Sequence, residues 1–164
     1  QTLDLSPNNL FLGNQIVNND EKIIVSSNDN TYIINTETGS IINKFNFSSS
    51  IKPLIHNNYV FLITKNNLIV AVDLKTNKII YSYRTDQIVA DFLDIKKKNL
   101  FFQNLMLINN NIFIFLKNSY ILIFEINGKI KDVRKLPSSP NSFPIIINNS
   151  ILYLDKKNKL IILD

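Results

Sequence analysis

The sequence predicts an all-β fold: a β-propeller with four four-stranded blades, or half of an eight-bladed propeller. Three observations carry that expectation. First, a unit made of an asparagine-rich turn, an apolar run, a polar turn and a second apolar run occurs four times. Second, the residue that closes each unit (Asn35, Asp73, Glu125 and Asp164) is acidic or an amide and recurs at intervals of 38, 52 and 39 positions. Third, the apolar runs are short, rich in Ile, Val, Phe and Tyr, and bounded by Asn, Asp, Gly and Ser, which is the pattern of strands. A period of about 40 residues with four strands per unit is the signature of a propeller blade. One such sheet cannot bury both of its faces, so it must stack on its neighbours. Runs that are apolar on both faces, such as Ile121-Leu122-Ile123-Phe124, fit strands covered from both sides. A β-sandwich would share the strands but gives no reason for the closing residue to recur.

The blades expected on this pattern span roughly 13–47, 52–84, 103–136 and 143–164 of a single domain, with residues 85–102 as an insertion between the second and third. In the second blade the strands fall at about 52–56, 59–64, 68–74 and 78–84, and in the third at about 103–108, 112–116, 120–126 and 129–136. Asparagine suits the turns because its short amide tolerates left-handed backbone and bonds nearby peptide groups. Asn127-Gly128 is the sharpest hairpin signal, since a two-residue turn needs positive φ at both central positions. The last unit lacks a fourth strand, and Thr2-Leu3-Asp4-Leu5 is a spare extended segment that would complete it. An open arc would leave unpaired strand edges. The expectation is therefore closure by residues 2–5 or pairing of two chains as a homodimer.

Composition narrows the function classes. The 164-residue chain is 45% hydrophobic, enough for a core, and no apolar run reaches the roughly 18 residues of a spanning helix. It has no Cys and one histidine, His56, which excludes disulfides, thiolate sites and multi-histidine metal centres. The net charge of +5 comes from scattered lysines in a chain with 28 Ile, 26 Asn and 16 Lys. That bias is the mark of AT-rich codons, and there is no basic stripe with interleaved aromatics, so no nucleic-acid partner is expected. No phosphate-binding loop, dinucleotide fingerprint or nucleophile elbow occurs. The chain opens at Gln1, which points to a removed targeting segment or a longer parent protein.

The turn that follows each closing residue is more specific. Ala71-Val72-Asp73-Leu74-Lys75-Thr76-Asn77-Lys78-Ile79-Ile80-Tyr81 resembles the repeat of the pyrroloquinoline-quinone-like (PQQ-like) propeller family, roughly Ala-x-Asp-x-x-Thr-Gly-Lys-x-x-Trp. Asn35-Thr36-Glu37-Thr38-Gly39-Ser40 is similar, and Glu125-Ile126-Asn127-Gly128-Lys129 is a shortened copy. The family's tryptophan, which docks neighbouring blades, is absent: Tyr81 stands in its place once, and Asn43 occupies the matching position of the first unit. Docking should then fall to apolar residues such as Phe45, Phe47 and Tyr83. The family's enzymes are quinone-dependent dehydrogenases that are several times longer. They use a calcium-binding acidic constellation that this sequence does not match. Asp73 and Glu125 occupy repeated turn positions, which implies a structural role.

The non-enzymatic branch that the repeats resemble is the BamB type of outer-membrane assembly lipoprotein, an eight-bladed periplasmic scaffold. That resemblance implies a C-terminal portion of such a protein, with no cofactor and no catalysis. It also implies a periplasmic location, anchored to the outer membrane through a segment outside this chain, and a protein partner in the outer-membrane assembly machinery. A fragment of a quinone-dependent dehydrogenase and a glycan- or polymer-binding propeller are the alternatives. The segment that breaks the repeat carries the candidate partner-binding residues Asp91, Phe92, Leu93 and Asp94. There, Ile88, Phe92 and Ile95 fall at helical spacing, with Asp86 near the start and Lys96-Lys97-Lys98 near the end. Such a segment either caps the gap between two blades or is an exposed apolar element on a rigid scaffold, the usual form of a partner-binding loop.

Overall fold

The computed structural model describes residues 16–27, 29–148 and 150–163. The chain divides into two compact units, Gln1–Ile88 and Val89–Asp164. In the first, β1 (Val17–Asn18), β2 (Lys22–Ser27), β3 (Asn30–Asn35) and β4 (Ile41–Phe45) form one antiparallel sheet in sequence order. A second sheet of the same kind comprises β5 (Leu54–His56), β6 (Tyr59–Ile63), β7 (Leu68–Asp73) and β8 (Lys78–Arg84). In the second unit, β9 (Phe102–Ile108), β10 (Asn111–Leu116), β11 (Tyr120–Glu125) and β12 (Ile130–Lys135) repeat the meander. A further sheet has three strands among the described residues: β13 (Ile145–Ile147), β14 (Ser150–Leu154) and β15 (Leu160–Leu163). The expected completing strand at residues 2–5 and the closing residue Asp164 lie outside the described residues.

The strands follow the predicted apolar runs closely. The clearest difference is at β5, which begins at Leu54 and not at residue 52. Pro53 has no N–H to give a ladder, so pairing starts after it. The third strand of each full sheet is buried along its middle: β3, β7 and β11 each have four consecutive buried residues between half-buried ends. This is the burial that their unbroken apolar runs require.

The turns use part of the asparagine. Nine non-glycine residues among those described have positive φ, and seven are Asn. Asn57, Asn109, Asn110 and Asn148 sit between the first and second strands of their sheets, Asn67 and Asn158 between the second and third, and Asn77 between the third and fourth. Gly39 and Gly128 hold the same place as Asn77. At these points a left-handed residue is needed, and Asn tolerates that conformation better than other non-glycine residues.

A bulge repeats as well. The outermost strand shifts register against its neighbour between Ile33 and Ile34, between Ala71 and Val72, and between Ile123 and Phe124. The extra residue bends each outer strand and raises its twist at one fixed point.

In the first unit the core joins both sheets. Val17, Ile24 and Ile33 meet Val60, Leu62, Val70, Val72 and Leu74, with Phe45, Phe47, Ile55 and Leu68 packed against them. Full burial of each aliphatic side chain contributes roughly 1.5–3 kcal/mol. In the second unit Phe115, Ile121, Ile123 and Leu136 meet Tyr153, with Met106, Phe113, Ile151, Ile161 and Leu163 half-buried around them.

Candidate functional site

The segment after β8 folds as a helix, α1 (Thr85–Leu93). Its start is held by two anchors. Thr85 donates both its backbone N–H (2.9 Å) and its hydroxyl (2.8 Å) to the carbonyl of Asn67. Asp86, buried in the first turn, accepts from Arg84 Nε (3.2 Å) and Nη2 (3.0 Å) and from the Gln87 N–H (3.0 Å). Its end is equally defined. Asp94 has φ of 51°, and the Ile95 N–H donates to the Ala90 carbonyl at 3.0 Å, the closure of a Schellman turn.

One expectation for this segment changes. Lys96, Lys97 and Lys98 lie beyond the helix, and its last turn has no basic residue, so they do not complement the helix dipole from within it. The buried face of the helix is not the stripe of Ile88, Phe92 and Ile95. Thr85, Asp86, Val89 and Ala90 are buried. Thr85 is pinned to Asn67, which sets the helix rotation and turns residues 85 and 89 inward. Ile88 is left half-buried, while Phe92 is 45%, Leu93 39% and Ile95 43% exposed. Of the four candidate residues, Phe92 and Leu93 thus form the exposed apolar end of the helix. Asp91 is exposed beside them, and Asp94 is the residue that ends the helix.

The described closing residues, Asn35, Asp73 and Glu125, end the third strands of their sheets and bond the turns that follow. The Asn35 Oδ1 accepts the N–H groups of Glu37 (3.0 Å) and Thr38 (2.8 Å) and the Thr38 hydroxyl (3.0 Å). Asp73 does the same with the Lys75 N–H (2.7 Å) and the Thr76 hydroxyl (3.0 Å). The Lys75 amide, helped by Thr76, holds the Asp73 carboxyl below the usual carboxylate range. Glu125, one methylene longer, takes a different role. Its Oε2 accepts from Asn127 Nδ2 (3.0 Å), and Asn127 Oδ1 bonds the Lys129 N–H (2.8 Å). Asp155, between β14 and β15, was not singled out from the sequence. It accepts the N–H groups of Lys157 (2.8 Å) and Lys159 (2.9 Å), which lower its pKa. The signal for it was present: an Asp three residues before a turn Asn, Asn158.

At the position of the missing tryptophan, docking between the first two sheets is partly polar. Asn43 Nδ2 donates to the Asn77 carbonyl of the neighbouring sheet at 2.7 Å. The Lys22 ammonium reaches the Leu74 carbonyl and Asn77 Oδ1 (3.1 Å for the latter) in the same turn. Phe45 and Phe47 stack (5.3 Å) and pack on the shared core, as expected. Tyr83 instead stacks on Tyr81 (5.1 Å) and stays 44% exposed. Burial raises the Tyr81 phenol well above its usual range. His56 is half-buried and bonds Asn57 Nδ2 through Nε2 at 3.1 Å. Among the described residues no three His, Asp or Glu side chains come together as metal ligands, and no helix is long and apolar enough to cross a membrane.

The fold has relatives of known structure. The chain matches BamB from Moraxella catarrhalis with a TM-score of 0.71 and 14% identity, over 91% of this chain and 42% of that one. The fold is that of a β-propeller. Two computationally designed proteins share it: Ika8 (TM-score 0.67, 9% identity, 92% of this chain and 45% of that one) and Ika4 (0.65, 10%, 98% and 94%). The chain spans less than half the length of BamB and of Ika8. Its sequence matches no family model and no curated protein. At these identities the likeness establishes fold.

Proposed function

We propose that the chain is a non-catalytic protein-interaction scaffold of the BamB type, acting in the periplasm in the assembly of outer-membrane β-barrel proteins. On this reading it needs no cofactor, and α1 is the contact element. Fold likeness to BamB and the PQQ-like turns support the scaffold reading. The observation that carries the choice of site is the exposed apolar end of α1, Phe92 and Leu93 with Ile95, on the segment that interrupts the repeat. Its helix is anchored at both ends, so the apolar group is presented with little ordering cost on binding. The repeated acids are engaged in their own turns and are left with structural work.

Phe92→Ala tests the assignment. With the wild-type chain as bait, capture from a Gram-negative periplasmic and outer-membrane extract should recover subunits of the β-barrel assembly machinery, identified by mass spectrometry. The variant should lose about 1–3 kcal/mol of that affinity, as expected for an aromatic anchor, with its melting temperature nearly unchanged. A sharp fall in melting temperature with capture per folded molecule intact would make α1 a structural plug and move the contact elsewhere.

A further inference from the structure

Charge is spread unevenly along the chain. The Gln1–Ile88 unit carries seven Lys or Arg and seven Asp or Glu, so its formal charges balance. The Val89–Asp164 unit carries eleven and six, so the whole net charge of +5 belongs to it. Part of this excess stands beside the apolar end of α1. Lys96, Lys97 and Lys98 follow Ile95 directly, and all three are exposed. Lys96 and Lys98 enter no ion pair among the described residues. Asp91 and Asp94 precede Ile95, and after it every charge as far as Lys117 is positive. The run is tethered on both sides. Before it, the Ile95 N–H is bonded to the Ala90 carbonyl. After it, Leu100 is buried and the Phe101 carbonyl accepts the Lys117 N–H at 2.8 Å. Three extended residues span at most about 11 Å, so the Lys98 backbone lies within that distance of Ile95. Phe101, on the far side of the run, is exposed as well. The lysines therefore stand between exposed apolar groups.

We propose that the protein surface that receives Phe92, Leu93 and Ile95 is acidic: an apolar pocket bordered by carboxylates on the side that meets Lys96 and Lys98. This rests on the reading of α1 as the contact element and adds the chemistry of what it contacts. An exposed apolar group alone suits any apolar pocket. The lysines select among such pockets, since a cationic rim is repelled by a basic surface and attracted to an acidic one. The net charge of the unit acts at longer range and steers an acidic partner toward it. A rim charge works mainly through the association rate and is screened by salt, whereas a buried anchor works mainly through dissociation. An anionic bilayer fits this surface less well. Asp91 and Asp94 flank Phe92 and Leu93, and inserting those side chains would carry both carboxylates into negative headgroups.

The assembly-machinery subunit recovered by the wild-type chain is purified, and its binding to the full chain is followed by biolayer interferometry at about 50 and about 400 mM NaCl. Lys96→Glu combined with Lys98→Glu should slow association about tenfold at the lower salt and far less at the higher, with dissociation nearly unchanged. The milder pair Lys96→Gln and Lys98→Gln should slow it about threefold. Phe92→Ala should instead speed dissociation and keep the salt dependence. Lys156→Glu combined with Lys157→Glu, in the exposed β14–β15 turn, changes the net charge equally and should slow association less than about threefold. Association that ignores salt, or that ignores reversal of Lys96 and Lys98, overturns the proposal. An equal effect from the Lys156 and Lys157 pair overturns it too, since charge would then act without a local rim. Binding to phosphatidylglycerol vesicles that needs Lys96 and Lys98, with subunit binding indifferent to them, overturns it in favour of a bilayer. Recovery of no subunit by the wild-type chain brings down the scaffold reading and this proposal together. Salt-independent binding of a recovered subunit removes this proposal alone.

Discussion

In the Gln1–Ile88 unit, two sheets meet over a core of eight buried aliphatics, and their outer ends are tied by Asn43 and Lys22 to the β7–β8 turn. Among the described residues of the Val89–Asp164 unit, the corresponding face meets a sheet of three strands through five buried residues, with a cleft lined by Phe113, Ile121, Ile151 and Leu163. The repeat is the same, and the turns and the bulge recur in both. One difference lies on the outer strands, at Asn43 of β4 and Asp132 of β12. Both residues accept the next N–H of their own strand through Oδ1, but the second polar atom differs: Asn43 Nδ2 donates across to Asn77, while Asp132 Oδ2 accepts from Arg134 of its own strand. Local sequence therefore builds each blade, while the contacts between sheets differ from one pair to the next.

The largest test of this contrast is a pair of truncations. Ile33→Ala removes a side chain 1% exposed at the centre of the first core and should cost about 2–5 kcal/mol. Ile151→Ala removes a half-buried side chain beside the cleft and should cost about 1 kcal/mol, because part of its surface already meets solvent. Urea denaturation measures both, and equal losses would break the comparison. Next in size is Asn43→Ala. It leaves the Asn77 carbonyl without its partner across the interface and should cost about 0.5–1.5 kcal/mol.

A smaller effect separates charge from geometry in the repeated turn. Asn35 performs with an amide what Asp73 performs with a carboxylate. Asp73→Asn should therefore keep most of the stability near pH 7. The difference lies in acid. The folded Asp73 carboxyl sits below its ordinary 3.8, so its stabilisation is fully present well above that value and is lost as pH falls through the folded pKa. Acid unfolding followed by circular dichroism should show a shallower loss below about pH 4 for the variant. A variant with the wild-type acid profile would show that the Asp73 charge does not matter to the fold.

Much of the fold was legible in the sequence. The predicted strands of the second and third sheets match those observed to within a residue or two, because alternation of Ile, Val and Phe runs with Asn turns is a local code. The structural role of Asp73 was legible for the same reason, since an Asp followed by a Thr three residues on bonds its own turn. The candidate site was half legible. Phe92 and Leu93 were identified as unusual because they break the repeat. Which face of their helix is buried was not, since helical spacing alone admitted Ile88, Phe92 and Ile95 as easily as Thr85, Val89 and Ala90.

By itself, then, the sequence determined the order of the described strands, the places of left-handed backbone and the anchoring of the turns. All of these depend on residues within a few positions of one another. The tertiary structure decided the rotation of α1, through the bond from Thr85 back to Asn67. It also decided the partners of Asn43 and Lys22, which lie 34 and 55 positions from Asn77. These are contacts between sheets, where burial and hydrogen-bond satisfaction act on residues distant in the chain, and a short-range pattern carries no record of them.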